Sequence, residues 1–152
     1  MRAKAGMTIL RIVLVGLSFL AIAPSAPAAR GCSNASLRGS YGLHATGTVL
    51  EVGPFAAVGV FSFDGSGHLV GTLTSRINGN TFSRESLTGT YSVTADCFVT
   101  DRWDFVSGET SEHESVIVDR GNGYFILNTT AGASNVISGT AQKQFSKRPD
   151  LD

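Results

Sequence analysis

From Ser40 onward, runs of β-branched and aromatic residues return at roughly ten-residue intervals, each ended by a cluster of Gly, Asn, Asp or Ser. No other feature limits the fold as much. The recurrence predicts strands near 40–50, 55–63, 68–76, 82–93, 98–106, 114–119, 123–130 and 135–145. Helical periodicity is missing beyond the N-terminal segment. The breaks carry turn chemistry. "FDGSGHL" (63–69) places Asp64-Gly65-Ser66-Gly67 between apolar runs, "VDRGNGYF" (118–125) places Gly121-Asn122-Gly123, and "INGN" (77–80) offers an Asn-Gly pair. Glycine and asparagine supply the positive φ of tight hairpins. Successive hairpins favour antiparallel neighbours, so the expected fold is all-β: an eight-stranded antiparallel up-and-down barrel in one domain.

The first 28 residues read differently. Arg2, Lys4 and Arg11 precede the uncharged run "IVLVGLSFLAIA" (12–23), and Ala26 and Ala28 form an A-x-A exit. This is the pattern of a secretory signal peptide, and the run is too short for a spanning helix. The expected division is a signal peptide at 1–28, a barrel domain at 29–145 and a disordered tail at 146–152. The leader takes three of the twelve basic residues and none of the twelve acids, which leaves a net charge of −3. Without a basic patch, a nucleic-acid partner is not expected, and after cleavage neither is a membrane. The chain is placed in a secreted or periplasmic compartment.

An oxidising compartment gives the chain's two cysteines a role. Cys32 follows Arg30 and Gly31, and the long charged Arg30 fits poorly in a peptidase pocket shaped for a lipid-modified cysteine. No C-x-x-C spacing or adjacent base marks a reactive thiol. A disulfide between Cys32 and Cys97 is expected.

Face assignment separates wall from surface. In "FAAVGVFSF" (55–63), Phe55, Ala57, Gly59, Phe61 and Phe63 share one face, but the opposite face is also largely apolar. The runs 116–118 and 124–127 repeat this, which calls for cover on the outside by a neighbouring subunit or the C-terminal segment. Burial preference turns Tyr41, Leu43 and Ala45 inward and His44 outward. Arg84 and Arg102 are expected in exposed cross-strand ion pairs with Glu85, Asp101 or Asp104. His68 reads as a solvated strand start. His113, among Glu109, Glu112 and Glu114, reads as part of a solvated loop rather than a metal site. No hydrolase elbow, P-loop, H-E-x-x-H or calcium loop is present, so no catalytic residue, metal or cofactor is expected.

Three stretches in order carry a resemblance: "CSNASLRGSYGL", "GPFAAVGVFSFDGSGHLVGT" and "LTGTYSVTADC". Together they resemble a group of small exported bacterial proteins that are similar to the allene oxide cyclase class of calycin-like barrels. The likeness spans residues 32–97 and consists of glycine, aromatic and cysteine positions, so it speaks to fold. The resemblance implies an eight-stranded barrel with a greasy pocket, and trimers in the plant cyclases. No catalytic residue of that class is carried over to this chain. A small apolar ligand in the barrel is the favoured function, with Tyr41, Phe61, Phe63, Tyr91 and Trp103 as candidate contacts. The other two readings are a cyclase or isomerase acting on a lipid-derived substrate, and a filled-barrel structural or interaction protein that forms homo-oligomers.

Overall fold

From Gly39 the chain alternates strand and turn eight times in the computed structural model, which describes residues 31–144. The signal peptide expected at 1–28 and the tail expected at 146–152 lie outside the described residues. The strands are β1 (Gly39–Val49), β2 (Gly53–Phe63), β3 (His68–Ile77), β4 (Asn80–Val93), β5 (Phe98–Phe105), β6 (Thr110–Val118), β7 (Gly123–Asn128) and β8 (Asn135–Lys143). Each pairs antiparallel with the next, and β8 pairs back onto β1, from Tyr41 opposite Lys143 to Val49 opposite Asn135. The expected eight-stranded up-and-down barrel is the fold observed. Closure satisfies the backbone hydrogen bonds that an edge strand would leave open.

Alternation sets the wall. Tyr41, Leu43 and Ala45 of β1 and Ala57, Phe61 and Phe63 of β2 are buried, while His44, Thr46, Val58 and Val60 between them are exposed. One glycine requirement follows from this packing. The Phe61 ring lies across Gly71, its directly opposed partner, so that a Cβ added at Gly71 would sit 2.7 Å from Phe61 Cδ1. Bare backbone at that position lets the ring lie flat against the wall.

The two ends of the barrel differ. At the closed end a 3-10 turn, Asn34–Leu37, inserts Leu37 into the core at 1% exposure. Asn34 anchors it: its Oδ1 accepts the Val93 N–H at 2.8 Å and its carbonyl accepts the Tyr91 hydroxyl at 3.1 Å. Tyr41 donates its hydroxyl to the Gly121 carbonyl at 2.5 Å, and the Cys32–Cys97 disulfide staples the segment to the β4–β5 connection. Beneath this plug, Phe63 meets Tyr41, Tyr91 and Tyr124 edge-on at centroid distances of 5.5, 5.1 and 5.8 Å.

The other end is the mouth. Its β3–β4 hairpin turns on Asn78 and Gly79, with φ of 45° and 88°, as the Asn-Gly pair predicts. A β-bulge follows in β4. Arg84 adopts φ 52° and donates its N–H to Thr74 Oγ1 at 3.0 Å, and the register shifts so that Phe82 stands opposite Ser75. Opposed residues share a face, so Phe82 joins the lumen side at the rim.

One strand departs from the expectation. β6 begins at Thr110 rather than 114, so His113 belongs to a strand and not to a solvated loop. Ser111, His113 and Ser115 face inward, while Glu112 and Glu114 face water. Both faces at the start of this strand are polar, which hid its alternation.

Candidate functional site: the polar cluster of the barrel mouth

β5, β6 and β7 lie side by side, and their register aligns chemistry that the sequence separates. Asp101 stands opposite His113, His113 opposite Asn128, and Trp103 opposite Ser111. His113 Nδ1 is 2.8 Å from Asp101 Oδ1. Its Nε2 is 2.9 Å from Ser111 Oγ. Asn128 Nδ2 donates to the same Ser111 oxygen at 2.8 Å. The Asn128 amide is oriented by the Thr130 N–H, which donates to Asn128 Oδ1 at 3.2 Å. Two further bonds tie β6 to the segment after β7: the Glu112 N–H donates to Thr130 Oγ1 at 2.8 Å, and the Thr129 N–H to the Glu112 carbonyl at 2.8 Å.

The cluster runs from interior to rim. The Asp101 side chain is 3% exposed and that of His113 6%, whereas Ser111 and Asn128 are half-buried. Trp103 packs against His113 at 4.0 Å between centroids and against Phe61 at 4.5 Å, the rings tilted by 41° and 34°. Burial pushes the Asp101 carboxyl above the ordinary carboxylate range, and the hydrogen bond and charge interaction with His113 pull it part of the way back. Burial also raises the Tyr124 hydroxyl, with the Asp101 charge adding to the effect. Ser115 Oγ and Tyr124 Oη are buried and have no hydrogen-bond partner among the described residues. Such atoms are uncommon in folded interiors and identify polar demand inside this lumen.

Across the lumen the wall is built differently. Gly139, Ala45, Ala57 and Ser75 stand in one register across β8, β1, β2 and β3. Four adjacent strands thus contribute only small side chains at this level. Toward the rim Val49, Phe55, Ile77, Phe105 and Ile137 are half-buried, and Phe55 and Phe105 pack on the core. Leu50, Val52 and Val106 in the mouth loops are exposed, as is Phe82 at the rim. Glu85 is half-buried on the lumen face of β4, opposite Leu73.

The residues singled out from sequence fall into three places. Tyr41, Phe61, Phe63, Tyr91 and Trp103 all face the lumen at 5% exposure or less, the first four packed toward the closed end or mid-barrel. His44 is exposed, and so is His68, which faces Asp64 at 3.3 Å beside the β2–β3 turn. Arg102 lies on the outer wall, bonded to Asp104 at 3.0 Å and Glu112 at 3.4 Å. Asp101 is not its partner: it faces inward to His113. Sequence reasoning missed the linked set of Asp101, Ser111, His113 and Asn128. The one available signal was the i, i+2, i+4 spacing of Ser111, His113 and Ser115.

These features define a class: closed eight-stranded antiparallel barrels of up-and-down topology. No family model and no curated protein matches the chain. Solved structures of similar fold include two redesigned β-barrels. The redesigned β-barrel b11L5F_LGL is 16% identical with a TM-score of 0.54, covering 74% of this chain and 95% of that one. The redesigned β-barrel mFAP1, solved bound to DFHBI, is 16% identical with a TM-score of 0.53, covering 72% and 97%. EF1p2_mFAP2b, also solved bound to DFHBI, is 14% identical with a TM-score of 0.51, covering 72% and 94%. At these identities the likeness is one of fold.

Proposed function

We propose that the protein is an exported barrel that binds one small, mainly apolar molecule in the mouth half of its lumen. The observation that carries this reading is the asymmetric wall: Gly139, Ala45, Ala57 and Ser75 on one side, Trp103 and the His113 cluster on the other. Small side chains yield volume where eight strands leave just enough width for a ligand. Phe61 and Trp103 form the floor on which the ligand rests, with Tyr41, Phe63 and Tyr91 as the packed layer beneath. The unpartnered Ser115 Oγ and Tyr124 Oη favour a ligand with a polar group at its inner end. The binding of DFHBI by mFAP1, a barrel of similar fold, supports the reading. So does the resemblance to the allene oxide cyclase-like class, to which we assign the chain. The disulfide fits a secreted or periplasmic location. Exposed Val58, Val60, Val70, Phe98 and Phe125 on the outer wall favour a homo-oligomer.

Native mass spectrometry of protein purified through its own export route tests the ligand. The expected result is a mass excess lost on denaturation and absent from Ala57→Trp, which fills the small-residue side of the lumen. Ligand-free wild-type protein, or an excess retained by Ala57→Trp, would overturn the proposal.

A further inference from the structure

We propose that Ser111 is an acyl-accepting nucleophile, activated by His113 and positioned through Asp101, and that the barrel mouth hydrolyses esters of apolar carboxylic acids. The geometry carries this. A nucleophilic serine needs a base within hydrogen-bond reach and a third group that orients the base. Ser111 Oγ to His113 Nε2 is 2.9 Å, and His113 Nδ1 to Asp101 Oδ1 is 2.8 Å. The two bonds use opposite ring nitrogens, so an Nδ1–H held by the Asp101 carboxylate leaves the Nε2 lone pair facing the Ser111 hydroxyl. Burial of Asp101 and close packing of His113 against Trp103 fix the ring.

Ser111 is the rimward member and is half-buried, so a substrate reaches it from solvent. Asn128 Nδ2 lies 2.8 Å from its oxygen, within reach of an oxyanion formed on the carbon that Oγ attacks. Thr130 holds that amide with its NH₂ group toward Ser111. The apolar acyl group lies over Ala45, Ala57 and Ser75, and the leaving alcohol exits at the rim.

The reaction needs only water as co-reactant. Ser111 Oγ bonds to the ester carbonyl carbon while His113 Nε2 takes the hydroxyl proton. The carbon–oxygen bond to the alcohol breaks, and His113 returns the proton to the departing oxygen. Water then attacks the acyl-serine, giving up a proton through His113 to Ser111 Oγ, and the carboxylic acid leaves. The substrate's seat rests on the lumen-binding reading, whereas the nucleophile does not.

Two probes test the inference on the full disulfide-bonded protein. Diisopropyl fluorophosphate is expected to add one phosphoryl group, mapped by peptide mass spectrometry to Ser111 and absent from Ser111→Ala. With p-nitrophenyl butyrate, Asp101→Asn is expected to lower kcat about 100-fold with KM nearly unchanged, because an amide cannot stabilise the imidazolium. A merely structural Asp101 would shift the melting temperature and leave that split absent. Wild-type protein that stays unlabelled, labelling at another residue, or equal rates in Asp101→Asn would each overturn the proposal. The wild-type arm stands even if Ser111→Ala fails to fold. Labelling without a retained ligand in native mass spectrometry sinks the lumen reading alone, and a retained ligand without labelling sinks the nucleophile alone.

Discussion

Phe61 covers Gly71 directly across the β2–β3 pair, and the ring occupies the space a side chain at Gly71 would need. The same ring packs against Trp103 from the far wall, and its other edge lies over Gly59, where an added Cβ would meet Phe61 Cε2 at 3.0 Å. Gly71→Ala is expected to overpack the lumen and cost about 1–3 kcal/mol. Urea unfolding followed by Trp103 fluorescence measures it, since Trp103 is the chain's one tryptophan. An unchanged midpoint would mean that the wall yields and the contact is not tight.

The disulfide closes a loop of 65 positions between the plug and the β4–β5 connection. Replacing both cysteines by serine is expected to cost about 4 kcal/mol, mainly by freeing the unfolded chain. Because Asn34 and Leu37 remain bonded and buried without it, the folded barrel should persist with near-native circular dichroism. Equal urea midpoints for the oxidised protein and the double serine variant would contradict the prediction.

Asp64 organises the β2–β3 turn. Its Oδ1 accepts the N–H groups of Ser66, Gly67 and His68 at 2.7, 3.0 and 3.0 Å, and its Oδ2 accepts the Ser66 hydroxyl. These bonds hold its carboxyl far below the ordinary carboxylate range, the Ser66 side chain contributing most. A lowered folded value means the turn's stabilisation is present above the unfolded pKa of about 3.9 and lost as pH falls through the folded value. NMR titration of the carboxyl carbon should place Asp64 as the last carboxylate to protonate. Asp64→Ala should speed amide exchange at Ser66, Gly67 and His68.

Asp101 has the opposite sign. Burial raises its folded pKa, so the folded barrel holds that proton more tightly than the unfolded chain does. Its contribution is fully present below the unfolded pKa of about 3.9 and is lost as pH rises through the folded value. His113, opposite it, and Tyr91 and Tyr124 are the titratable neighbours. Asp101→Asn should flatten the fall in urea midpoint as pH rises above about 4. A parallel fall in both proteins would assign the pH dependence elsewhere.

The barrel was legible from residues whose two faces differ in polarity or size. Tyr41, Leu43 and Ala45 alternate with His44 and Thr46, and Asn78-Gly79 announces its hairpin. The staple followed from compartment and cysteine count. The site was hidden for a physical reason. At Thr110–Ser115 both faces are polar, and what distinguishes Ser111 and His113 from Glu112 and Glu114 is register against Asp101 and Trp103. That register is a property of neighbouring strands, so local periodicity does not contain it. The bulge at Arg84 was concealed in the same way, since nothing before it alternates wrongly until Phe82 is set against Ser75.

The pairing of Tyr41 with Lys143 brings the start of the first strand beside the end of the last, and the Gln144 N–H reaches the Ser40 carbonyl at 2.8 Å. The ring of strand neighbours therefore has no inherent beginning. A circular permutant that joins these ends through a short linker and opens the chain at Asn78–Gly79 would keep the other hairpins and every strand pairing. What it would have to reroute is the Cys32–Leu37 plug. In such a molecule the order of synthesis changes and the map of neighbours does not.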